Sequence, residues 1–128
     1  MVKIEKDAAE KILQDIFEKF EITSAIEKSV EKEKILDMIM YGILEFENKK
    51  IFLNLSKSIK NEAGIDISKI SLVALTGQSL VDAEKNNKNG FEVVISYISS
   101  SSGLPFGCVL NMDIKDIKRC QEVMTLFL

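Results

Sequence analysis

No histidine occurs among the 128 residues. The commonest general base, the usual partner of a nucleophilic serine or cysteine, and the commonest nitrogen ligand for metals are therefore all missing. The two cysteines, Cys108 and Cys120, are too far apart for the tight ligand pairs of a zinc site and make no Cys-x-x-Cys redox motif. Helical spacing puts Cys120 on the apolar side of the last predicted helix, where a thiol packs as a small core side chain. Cys108 falls in or beside a loop, where a thiol can be exposed, but no base is near it in sequence to activate it. The acidic residues form no Asp-x-Asp-x-Asp calcium loop, and Asp113 with Asp116 reads as a pair of helix-start residues. Gly77-Gln78-Ser79 and the stretch 103–107 lack the spacing and trailing Lys-Ser/Thr of a phosphate loop. Four serines at 99–102 before Gly103 suit a helix end. The sequence thus predicts no catalytic residue, no cofactor and no metal.

Composition points the same way. Hydrophobic residues make up 46% and charged residues 29% of the chain, with one proline and six glycines, a globular balance that leaves most of the chain open to regular structure. The net charge is −3, and acidic and basic residues are interleaved. A nucleic-acid binder concentrates lysine and arginine in a patch or stripe, because counterion release from phosphates supplies much of its affinity; the sequence predicts no nucleic-acid partner. No apolar run approaches the ~18 residues of a membrane span, and Met1–Asp7 has no apolar leader segment. Unpaired thiols in a cytoplasmic, unsecreted protein are the expectation.

The elements follow from hydrophobic period. Residues 5–20 predict an amphipathic helix, with Ala8, Ala9, Ile12, Leu13, Ile16, Phe17 and Phe20 at three- and four-residue steps. Ser24 with Glu27 fits a capping box, opening a second helix to about Tyr41 with Ile26, Val30, Ile35, Leu36, Ile39 and Met40 on its apolar side. Gly42 stops it. The charged run 27–34 reads as a solvated helix face. The period then changes to two. Ile43–Glu47 and Lys50–Leu55 alternate about a turn at Asn48-Lys49, and a third strand spans Ile67–Leu75 after the polar loop 60–64. Helical period returns at 79–85 and at Phe91, Val94, Ile95 and Ile98, with a turn cluster at 86–90 between them and a connector at 104–107 after them. Asp113 caps a last helix through Phe127, carrying Ile114, Ile117, Cys120, Met124 and Phe127 along one side.

The predicted fold is α+β: an N-terminal helical pair, a small three-stranded antiparallel sheet, and C-terminal helices packed on it. Residues 1–128 form one domain, with 1–41 as a helical N-terminal extension and 42–128 as the α+β region. The terminal stretch Val123, Met124, Thr125, Leu126, Phe127, Leu128 is apolar nearly all round, more than one buried face needs. Such a tail is either enclosed by the fold or exposed to a partner. Val123, Met124, Leu126, Phe127 and Leu128 are the candidate partner-binding residues.

From Gly42 onward the chain resembles the phage tail assembly chaperone family. The strand pair 46–55 leads into Ser56-Lys57-Ser58-Ile59, similar to that family's Leu-x-Lys-Pro-Ile segment, with Ser58 where the family commonly has proline. Thr76–Lys85 is similar to its small-polar turn and Ala-Glu-Lys helix. Val94–Ser99 with Gly103-Leu104-Pro105 is similar to its helix ending in Gly-Leu-Pro, and Leu110–Asp116 with 123–128 to its final helix ending in Phe-Leu. The resemblance implies a non-enzymatic protein of the bacterial host cytoplasm that binds the tape-measure protein, or another tail protein, of a bacteriophage, prophage or tail-like particle, as a homo-oligomer or with several copies on one client. A structural tail component and a small regulatory protein-binding module of antitoxin or inhibitor type are the alternatives.

Overall fold

The computed structural model describes residues 2–21, 32–86 and 89–127. Helix α1 (Lys6–Lys19) is followed by α2 (Lys32–Met40), strands β1 (Leu44–Glu47), β2 (Lys50–Lys60) and β3 (Asp66–Leu72), then α3 (Gly77–Asn86), α4 (Gly90–Ser102), α5 (Phe106–Leu110) and α6 (Ile114–Met124), with a 3₁₀ turn at Thr125–Phe127. The α+β order of N-terminal helices, three-stranded antiparallel sheet and C-terminal helices is the one the sequence predicts. The capping box at Ser24 and Glu27, with Ile26 and Val30, lies outside the described residues.

The junction of α2 with β1 follows from one glycine. Gly42 takes φ +74, its amide donates to the Ile39 carbonyl, and the Ile43 amide reaches back to Met38. This is a Schellman ending, whose left-handed residue carries no Cβ penalty when it is glycine. The amides of Lys3 and Ile4 both donate to the Met40 carbonyl at 2.8 and 3.0 Å, which ties the start of the chain to the same corner.

The strands run in the order β1-β2-β3. Leu44, Ile51, Leu53, Ile70 and Leu72 point into the core, each almost fully buried. Glu45 and Lys69 form an ion pair on the other face, and the Lys69 ammonium also lies over the Phe52 ring. The turn between β1 and β2 places both Asn48 (φ 51) and Lys49 (φ 61) in the left-handed region, the type I′ geometry that follows the twist of a two-residue hairpin.

Three expectations are corrected. Strand β2 does not stop at Leu55 but continues to Lys60, and β3 spans Asp66–Leu72 rather than Ile67–Leu75. Between the pairs Asn54↔Lys69 and Ile59↔Ile67 the register shifts, because β2 has extra residues there. The bulge coils the ribbon so that Ile59 turns back to the core while Ser56, Lys57 and Ser58 stay exposed. The connector expected at 104–107 becomes the five-residue α5, which lies over the end of β2.

One cluster of buried side chains runs from Ala9 to Leu126. Helix α1 contributes Ala9, Leu13, Ile16 and Phe17, and α2 contributes Ile35, Leu36, Met38 and Ile39. Helix α6 lies against β2, α4 and α2. The polar latch Val73–Ser101 ties the end of β3 to α4. The Val73 amide donates to the Ser101 hydroxyl, which itself donates to the Val73 carbonyl at 2.6 Å. At Lys49 a Cβ-bearing residue sits in the left-handed region at a cost of about 1 kcal/mol. Lys49→Gly is therefore expected to raise the urea midpoint of unfolding without changing its slope; an unchanged or lower midpoint would show that the turn carries no such strain.

Candidate partner-binding surface

The best-built polar feature of the molecule is a clamp between α6 and the β2 bulge. Asp116 is fully buried. Its carboxyl group accepts from the Ser56 amide at 2.9 and 3.1 Å, from the Ser56 hydroxyl at 3.1 Å and from the Lys57 amide at 3.4 Å. Both amides belong to the stretch where β2 is out of register with β3, so the side chain supplies acceptors that the ladder does not. The Arg119 guanidinium stands 3.6 Å from the same carboxyl group. One turn earlier, Asp113 caps α6 by accepting from the Lys115 amide and pairs with Lys57 at 3.3 Å. That amide first, and then the Lys57 side chain, hold its carboxyl below the usual carboxylate range. The arrangement is a structural joint between α6 and β2.

The thiols are packed. Cys120 lies on the inner side of α6, as its spacing predicts, and burial followed by the nearby Asp116 pushes its thiol up to about 12. Cys108, placed in or beside a loop by its sequence, is buried on α5, with its Sγ 3.6 Å from the Lys60 carbonyl. The reason is α5 itself, which covers the end of β2.

Of the terminal candidates, Val123, Met124 and Leu126 lie in the core. Phe127 is half-buried, its ring edge-on to Phe20 with centroids 5.0 Å apart. Leu128 lies outside the described residues. The tail thus closes back onto α1.

Apolar surface left to solvent is found elsewhere. Ile114, expected along the inner side of α6, is 55% exposed; Phe91, expected inside α4, is 48% exposed, and Tyr41 at the end of α2 is 46% exposed. Shallow grooves mark the described surface, four of them well formed. One lies between α1 and the β1–β2 hairpin, one between α1 and α2, and a serine-lined one between α3 and α4. The fourth, of about 350 Å³, runs between α2 and α6. Met38, Tyr41 and Ile43 form its apolar floor; Lys34, Lys115, Lys118 and Arg119 stand at its sides with Asp37 and Glu122. Sequence reasoning missed it. The i, i+3 and i, i+4 spacing of Lys115, Lys118, Arg119 and Glu122 was visible as a stripe, but nothing local says that α2 lies alongside. Among the described residues no three side chains of metal-ligating type converge, and no helix is long and apolar enough to cross a membrane.

The family model described as "Phage tail assembly chaperone proteins, E, or 41 or 14" matches residues 53–128, more than half of the chain. The match begins within β2 and includes the bulge, β3 and every later helix. No curated protein and no solved structure matches.

Two outcomes are expected from this geometry. Asp116→Ala leaves the Ser56 and Lys57 amides without their acceptor and is expected to cost about 2–3 kcal/mol, with Asp116→Asn, which keeps one carbonyl oxygen, falling between it and the wild type in denaturant unfolding. Equal stability of all three would show that water replaces the clamp. Both thiols are expected to resist alkylation in the folded protein and to react together when it unfolds; fast native labelling of either would contradict their burial.

Proposed function

The chain belongs to the phage tail assembly chaperone family, and from that premise we propose that it binds the tape-measure protein in the bacterial host cytoplasm and keeps it soluble while a tail is built around it. Family membership carries this reading, and the matched span is its best support: it takes in the bulge, the Asp116 clamp and the whole C-terminal helical layer. The absence of histidine and the enclosed thiols favour a protein that acts by contact and not by catalysis.

The physical logic suits such a client. A tape-measure protein is a long chain of helical segments whose apolar stripes lack partners until the tube closes, and a chaperone with shallow apolar grooves can cover them. Several copies along one client add avidity to individually weak contacts. Residues 1–41 and 42–128 act as one domain on this reading, since side chains of α1 and α2 enter the same buried cluster as those of α6. Of the terminal segment 123–128, Phe127 retains ring surface that a client could use, while Val123, Met124 and Leu126 act from beneath by holding the segment in place.

Co-expression with the tape-measure protein of the same locus, followed by pull-down and sizing, tests this. A soluble complex with several copies of this chain per client is expected. An insoluble client with this chain eluting alone would overturn the reading. Recovery of the chain in finished particles would favour a structural tail component, and co-purification with a toxin or enzyme a regulatory module.

A further inference from the structure

The grooves differ in charge. Around the α1–hairpin groove Lys19 and Lys49 offset Asp15 and Glu18. Between α1 and α2, Lys6 and Lys32 offset Glu10 and Glu33. The α3–α4 groove has serines and a single acid, Asp82. The α2–α6 groove breaks this balance, with four cations against two anions on a chain whose net charge is −3. Two of those cations are already answered, Lys34 by Glu122 at 3.7 Å and Arg119 by the buried Asp116 at 3.6 Å, which leaves Lys115 and Lys118 facing Asp37 as the surplus. Lys115 and Lys118, on the outer side of α6, are exposed, and Ile114, one turn before Lys118 on the same helix, is exposed as well.

A local cationic surplus beside an apolar floor selects among helices. A helix that lays an apolar stripe on Met38, Tyr41 and Ile43 brings its flanking positions against Lys115 and Lys118. Acidic flanks there gain attraction, whereas basic flanks meet like charge, and such juxtaposition governs specificity and association rate more than total affinity. We infer that the α2–α6 groove docks an amphipathic helix whose apolar stripe is flanked by glutamate or aspartate. Resting on the chaperone reading above, this assigns that helix to the tape-measure client. The apolar floor, Met38, Tyr41 and Ile43, lies outside the span matched by the family model, whereas Lys115 and Lys118 lie inside it, so the groove joins the N-terminal part of the chain to the matched α6.

The test uses the full chain, the tape-measure protein of the same locus, and two synthetic helical peptides that share a leucine stripe but carry glutamate or lysine flanks. Binding is read by fluorescence anisotropy at low and high salt. Wild type is expected to prefer the glutamate peptide by about tenfold or more, with the preference falling as salt rises. Lys115→Glu with Lys118→Glu should reverse it, so that the lysine peptide binds the double variant best; this swap cannot come from misfolding. Tyr41→Ala should weaken both peptides alike, and Lys50→Glu, at the hairpin turn, should change nothing. Equal binding of the two peptides, or binding unaltered by the double variant, overturns the groove. So does wild-type self-association that shuts the peptides out, which would assign the groove to a second copy. If the tape-measure protein is captured equally by wild type and double variant, the chaperone reading stands and the groove assignment falls. If wild type captures none of it, both fall.

Discussion

The arrangement depends on a buried carboxyl group that answers amides the sheet leaves out of register. A strand that bulges loses ladder bonds, and a buried amide without an acceptor costs about 1–3 kcal/mol. Asp116 supplies the acceptors from the first turn of α6, sixty residues later in the chain. Two requirements are met at once. The bulge can coil the ribbon and return Ile59 to the core, and α6 acquires a fixed height and rotation against β2. Because Asp113 caps the same turn and reaches Lys57 as well, the helix start is held at two successive residues of one strand.

What α6 fixes, the other helices use. Its inner side, with Ile117, Cys120, Val123 and Met124, is the surface against which the core closes. Its continuation through Leu126 and Phe127 reaches α1 at Phe20. At the opposite corner Asn54 holds the end of α2, its side chain donating to the Gly42 carbonyl and its amide to the Ile43 carbonyl, both at 2.8 Å. Strand β2 therefore serves as the common spine. Asn54 binds the N-terminal helices to it and Ser56 the C-terminal ones, two residues apart. The groove between α2 and α6 is a consequence of that spacing, since both helices are anchored to neighbouring positions of one strand.

Local pattern was enough for much of this. Period 3.6 in 5–20 and 113–127, period 2 in 43–55, the stop at Gly42 and the turn at Asn48-Lys49 all correspond to elements of the structure, and so does the α+β order. The resemblance rested on short motifs in sequence order, and those motifs fall on the bulge, α3, the end of α4 and α6. Failures came where long-range partners decide. Ser56-Lys57-Ser58 looked like a strand end because three polar residues break alternation; only the carboxyl of Asp116 makes that stretch a bulge. Asp116 itself looked like a dipole-friendly first-turn acid, since burial of a charge cannot be read without its donors. Ser101 looked like one of four helix-end serines, yet it alone latches Val73. Ile114 was read as inner because it continues the apolar register of α6, but the helix starts there, beyond the edge of what it covers.

A protein that must hold a client and later yield it faces opposing demands. Deep apolar enclosure would give slow release, because tuning of affinity falls mainly on dissociation. Here the buried apolar material is spent on the fold: of the terminal residues named as partner-binding candidates, Val123, Met124 and Leu126 are inside it. What remains outside is shallow, and in the α2–α6 groove it is rimmed by exposed lysines. Exposed charge speeds encounter and sorts partners while adding little to the depth of binding. Contacts of that kind are individually weak and rapidly exchanged, and they become effective when repeated along one chain. On the proposed reading, then, the same economy explains both halves of the task. Many copies hold a long client together, and each copy can be displaced singly as a growing tube offers its segment a better partner.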